Sequence, residues 1–157
     1  MKTIILSIAA LLTINIASAQ KVKEAEVPKA VVEAFQKKYP GAKANEWEKE
    51  GADYEVEFDL SKVESSALFG ANGEFKAYEQ EIKVAELPAN VATYCTKTYP
   101  SHKISEASKI TEASGKVTYE AELEKGKEKF DAIFDDKGNF LKKEDVSKEE
   151  DDDKKKK

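Results

Sequence analysis

The chain contains no arginine: all of its 26 basic residues are lysine, against 31 acidic ones, for a formal net charge of −5. A nucleic-acid surface built from bidentate guanidinium forks and a basic patch is therefore excluded, and no nucleic-acid partner is expected. Cysteine is nearly missing as well. Cys95 is alone, which rules out a disulfide framework within the chain. His102 is the only histidine, so zinc has too few soft ligands. The seven glycines are scattered as turn punctuation and form no phosphate-cradling loop. Ser65, Ser66 and Ser108 stand without an evident base or orienting partner, and no Gly-x-Ser-x-Gly elbow is present. With no catalytic constellation, the chain is expected not to be an enzyme and to carry no cofactor or metal.

Long hydrophobic runs are confined to one place. Lys2, the apolar stretch Ile4 to Ile16 and Ala17-Ser18-Ala19 have the basic, hydrophobic and small-residue layout of a signal peptide over residues 1–19. The stretch is shorter than the roughly 20 residues that span a bilayer, so export without stable membrane insertion is expected, to the periplasm or outside the cell. The other end, residues 147–157, is a block of acids followed by Lys154 to Lys157, the composition of a solvated disordered tail.

Between the ends the chain repeats itself. Val27-Pro28, Val31, Phe35 and Tyr39-Pro40 recur at an offset of 60 as Leu87-Pro88, Val91, Cys95 and Tyr99-Pro100. Tyr54, Val56, Phe58, Phe69, Gly73 and Phe75 recur at an offset of 65 as Tyr119, Ala121, Leu123, Phe134, Gly138 and Phe140. Each copy is one supersecondary unit. Pro28 and Pro88 suit a first helical turn, and a helix must stop by Tyr39 or Tyr99 because the residue before proline is driven from the α region. Strict alternation in 53–60 and 117–124 predicts strands with one apolar and one acidic face. Weaker strands precede them, near Ala44 to Lys49 and Ile104 to Ile110, and further ones follow at Ser65 to Phe69, Glu74 to Gln80, Phe130 to Phe134 and Asn139 to Glu144. Gly70 to Gly73 and Asp135 to Gly138 are the turns.

The expected fold is α+β: two tandem repeats, each one α-helix followed by a four-stranded antiparallel sheet, the sheets joined into one curved surface. Its parts are an N-terminal linker over 20–26, a first repeat over 27–84 and a second over 85–146. Cys95 matches Phe35 and reads as a small buried residue rather than a reactive thiol. Asp135, Asp136 and Asn139 suggest calcium, but the matching turn of the first copy works with Gly70, Ala71 and Glu74, and a calcium loop needs six or more oxygen ligands.

The ordered pattern of Val-Pro or Leu-Pro, a helix ending in Tyr-Pro, a Tyr-x-Val-x-Phe or Tyr-x-Ala-x-Leu strand and a Phe-x-x-x-Gly-x-Phe hairpin resembles the PepSY-like family, in its β-lactamase-inhibitor-like branch of exported bacterial proteins. The resemblance covers Val27 to Val146. It implies a tandem helix-and-sheet fold and a protein-binding module in the class of peptidase or β-lactamase inhibitors, with no activity attached.

Binding is expected on the sheet face that the helices leave open, where alternation places Glu55, Glu57, Glu120 and Glu122. Four large side chains fall out of phase with the helix-facing set: Trp47, Leu68, Tyr78 and Ile133. On the open face they make an apolar centre rimmed by carboxylates, the anatomy of a protein or peptide interface. The acidic rim selects a cationic partner. Two other readings stand beside this one: an envelope sensor of a small ligand or cation, and a purely structural envelope protein. Oligomeric state is left open.

Overall fold

The computed structural model describes residues Gln20 to Asp145, so the expected signal segment and the acidic tail lie outside the described residues. The strands are β1 (Gln20–Val22), β2 (Ala44–Glu50), β3 (Asp53–Leu60), β4 (Val63–Gly70), β5 (Phe75–Glu81), β6 (Lys103–Glu112), β7 (Val117–Lys125), β8 (Glu128–Asp135) and β9 (Phe140–Asp145), with helices α1 (Lys29–Lys38) and α2 (Ala89–Thr98). No described helix is long and apolar enough to cross a membrane.

The expectation of two repeats, each a helix with its own four-stranded sheet, is corrected. One nine-stranded sheet runs through the chain, its strands neighbouring in sequence order from β1 to β9, with only two α-helices. The linker contributes a strand that alternation over three residues could not announce: Gln20, Lys21 and Val22 pair with Lys49, Glu48 and Trp47 of β2.

By internal contacts the chain divides into two compact units. The first runs to Gln80 and includes Ile110–Gly115, and the second comprises Glu81–Lys109 and the residues from Lys116 onward. In the first unit, β2, β3, β4 and β5 pair antiparallel in succession, and Ala113 N–H donates to Lys76 C=O at 2.7 Å. Val31 and Phe35 of α1 pack with Trp47, Val56, Phe58, Ala67 and Phe69. In the second unit Val91 and Cys95 of α2 pack with Ala107, Ala121, Leu123, Phe130, Ala132 and Phe134. Cys95 is buried there as one small member of a core, and burial pushes its thiol up to about 11, far from a reactive thiolate.

Pro28 and Pro88 stand immediately before the helices, and each is preceded by a 3₁₀ turn, Glu24–Glu26 or Val84–Glu86. Those turns close when Glu26 accepts from Lys23 N–H at 3.0 Å and Glu86 from Lys83 N–H at 2.8 Å. Helices of ten residues are marginal alone, so both depend on the sheet face they cover.

The β4–β5 turn is seated against α1. Gly73 has φ +82°, and a Cβ there would come within 2.5 Å of the Ala30 carbonyl oxygen. Gly73→Ala is therefore expected to cost about 2 kcal/mol or more through both the left-handed backbone and the clash with α1, read as a fall in the urea midpoint. An unchanged midpoint would show that the turn does not press on the helix. In the second unit Asp135 ties its own turn together. Its carboxylate accepts from Lys137 N–H at 2.9 Å, from Asn139 N–H at 2.7 Å and from the Asn139 amide at 2.9 Å, and the Asn139 bonds hold its pKa below the usual carboxylate range. Among the described residues no three His, Cys, Asp or Glu side chains converge as a metal site.

Candidate functional site

Strand register decides which of the eight expected site residues share a face. In the first unit Glu55 lies opposite Leu68, Glu57 opposite Ser66, Leu68 opposite Ala77 and Ser66 opposite Glu79. Glu55, Glu57 and Leu68 are thus together on the side away from α1, with Glu46 and Glu48 of β2 paired to Glu57 and Glu55. In the second unit Glu120 pairs with Ile133 and Glu122 with Asp131, which brings those expected residues onto one face as well.

Trp47 and Tyr78 are on the other side, with α1, and their expected place on the open face is corrected. Trp47 is opposite Val56, 3% exposed, with its ring centroid 5.7 Å from that of Phe35 at 81°. Its indole N–H donates to Glu24 at 3.4 Å. Tyr78 is opposite Ala67 and stacks on Tyr39 at 5.7 Å and 29°. Two irregularities cause this. The register shifts between Ala44 and Glu46, and again where Leu68 meets Ala77 but Phe69 meets Phe75. A bulge inserts one residue and reverses side-chain parity beyond it, so Ala44 and Trp47, or Phe75 and Tyr78, share a face despite odd spacing.

The helix-free face of the first unit is electrostatically unusual. Leu68, Ala77 and Ile110 form a buried apolar cluster that includes no helix residue. Around it the carboxyls resist ionisation. Burial first, then the carboxylates of Glu46, Glu48 and Glu64, push Glu57 up to about 8, with Lys21 opposing. Glu48 is raised to about 7, again chiefly by burial and next by a hydrogen bond with Glu46. Glu55, 1% exposed, is held well above the usual range by burial and by the neighbouring Glu50 carboxyl. Lys21 pairs with Glu46 and Lys76 with Asp53, each at 2.6 Å. The second unit differs. There Lys129 pairs with Glu122 at 2.7 Å and Lys142 with Glu144 at 2.7 Å.

The solvent-facing feature of the first unit is the β3–β4 hairpin tip, which alternation did not single out. Leu60 and Val63 close the turn opposite each other and are 38% and 39% exposed, two of the three exposed large apolar residues among those described, the third being Leu141 of β9. Between them Ser61 and Lys62 take φ of 55° and 70°, the double left-handed conformation of a type I′ turn, for which Asn-Gly is the preferred pair. The equivalent tip is Lys125-Gly126-Lys127-Glu128, where a glycine takes φ 64° and the flanking residues are charged. Fold requires neither the apolar pair nor the non-glycine turn, since the second copy makes its hairpin without them. That contrast is the signal in the sequence that could have found the tip.

Beside these geometries stand the likenesses to known proteins. Among curated proteins none matches. Among the solved structures that share the fold are two from Bacteroides. A putative periplasmic protein of Bacteroides eggerthii is 18% identical, with a TM-score of 0.68 over 77% of this chain and 90% of its own. A BLIP-like protein of Bacteroides fragilis is 25% identical, with a TM-score of 0.59 over 76% of this chain and 86% of its own. The family model described as putative beta-lactamase-inhibitor-like, PepSY-like matches twice, at residues 14–64 and 60–142. The chain belongs to that PepSY-like family.

Proposed function

We infer that this is an exported, non-catalytic module that binds another protein, and that its first point of contact is the tip of the β3–β4 hairpin. The observation that carries the reading is the exposed Leu60–Val63 pair held on a turn whose two central residues are both non-glycine and both at positive φ. Left-handed conformations of ordinary residues cost stability and persist where the surrounding structure over-determines them, most often at sites that bind. Paired apolar side chains on a rigid prong fill a partner's pocket without ordering cost on this side. Asp59 and Glu64 face each other one step below the tip, on the side that carries Glu57. The partner that fits is a protein with an apolar pocket and a basic rim, and association weakens as salt rises.

Export is supported by the N-terminal layout and by the periplasmic description of the B. eggerthii relative. The words beta-lactamase-inhibitor-like describe a likeness of fold, which hosts many functions, so inhibition enters as an assay to run on whatever partner is captured.

The test compares residues 20–157 with the double substitution Leu60→Ser, Val63→Ser as baits for envelope and secreted fractions. Exposed positions of this kind shift stability by only about 0.5 kcal/mol, while retention of the partner is expected to fall about tenfold or more. Equal retention by both baits at matched thermal midpoints would remove the hairpin from the interface.

A further inference from the structure

Beside the end of α1 the first unit has a depression of about 330 Å³ lined by Lys38, Tyr39, Phe75, Tyr78 and Thr111. Its walls are aromatic. Tyr39 and Tyr78 stack, and the Tyr78 hydroxyl is anchored 3.0 Å from that of Ser65. The Lys38 ammonium sits 3.8 Å from the centroid of Phe75 and 5.8 Å from that of Tyr39. No carboxylate pairs with Lys38 among the described residues, so ring faces alone hold this cation.

The second unit repeats the arrangement with its parts exchanged. At the position of Tyr78 it has Lys143, and at that of Ser65 it has Phe130. The Lys143 ammonium lies 3.5 Å from the Phe130 centroid and 5.9 Å from that of Tyr99. Both units therefore place an ammonium group on aromatic faces beside the last turn of the helix. That turn carries the negative end of the helix dipole, which favours a cation. A ring quadrupole adds to it.

What differs is who fills the seat. In the second unit Tyr94 covers Phe140, stacked at 4.9 Å and 12°. The position of Tyr94 is Ala34 in the first, so the face of Phe75 is left uncovered except for Lys38, a long exposed side chain on a flexible stem.

We propose that the aromatic depression of Tyr39, Phe75 and Tyr78 is a binding seat for an organic ammonium group, either a lysine side chain or a quaternary ammonium, which enters by displacing Lys38. The seat is independent of the hairpin tip, and loss of capture through Leu60 and Val63 leaves it untouched.

The experiment follows the ring protons of Phe75 and Tyr78 by NMR in the chain from Gln20. It is titrated with tetramethylammonium chloride, with Nα-acetyl-lysine methylamide and with sodium chloride at equal ionic strength. Saturable shifts are expected with an ammonium probe and not with sodium. Saturation by the tetramethyl probe alone assigns the seat to quaternary ligands, and saturation by both assigns it to ammonium groups generally. Lys38→Ala removes the tethered competitor and should tighten binding about threefold or more, whereas Tyr78→Leu should weaken it about fivefold. Phe75→Leu replaces Tyr78→Leu as the weakening variant if the loss of the Ser65 bond disturbs folding. Shifts that never saturate, that sodium reproduces, or that are the same in Lys38→Ala and in the Leu variants as in the wild type would overturn the proposal.

Discussion

Trp47→Ala is expected to lower stability by about 3–5 kcal/mol, the range for removing a buried aromatic side chain. The residue is 3% exposed and meets the edge of Phe35, which in turn packs at 5.1 Å on Phe58. Removing the indole therefore opens a cavity where α1, β2 and β3 join. It also strips Glu24 of its indole partner and weakens the strand pair by which Val22 of β1 is held to Trp47. In a unit of this size each 1 kcal/mol moves the midpoint by roughly 4–8 °C, so a fall of about 12 °C or more should appear by scanning calorimetry. The change should also lower protection of the amides of α1, whose Phe35 packs against the indole. A midpoint within about 2 °C of wild type would return Trp47 to the list of surface contacts.

The second large effect is a loss of stability toward alkaline pH. Unfolded glutamates titrate near pH 4.3, whereas Glu48 and Glu57 hold their protons in the folded chain to about 7 and about 8, and Glu55 is also raised. Between those limits the folded state binds more protons than the unfolded one, so each step up in pH favours unfolding. The contribution of Glu48 and Glu57 is complete below about pH 4 and is lost as pH rises through about 7 and about 8, where they ionise in the folded chain. The thermal midpoint is expected to drop by on the order of 5 °C between pH 5 and pH 8.5. Glu57→Gln keeps the shape without the ionisation, so it should flatten the profile and exceed wild type at pH 8.5. A midpoint that rises over the same interval would show that the carboxyls are ionised and paired.

Helix limits and hairpins were legible because each rests on local chemistry. Pro28 and Pro88, the Tyr-Pro stops and alternation in β3 and β7 act within a few residues, and both helices ended at the tyrosines. Faces were legible wherever alternation ran unbroken, which is why Glu55, Glu57 and Leu68, or Glu120, Glu122 and Ile133, came together. Trp47 and Tyr78 lie just past register shifts, and a single inserted residue turns a side chain over without leaving a mark in composition.

Sequence alone determined the family, since the order of its motifs along the chain holds whatever path the chain takes. Tertiary structure decided that β1 exists and that nine strands make one sheet, because pairing depends on residues far apart in the chain. It also decided that acidic residues scattered along β2 and β3 gather into one array that resists ionisation, an effect of burial and mutual repulsion that appears only when they are side by side.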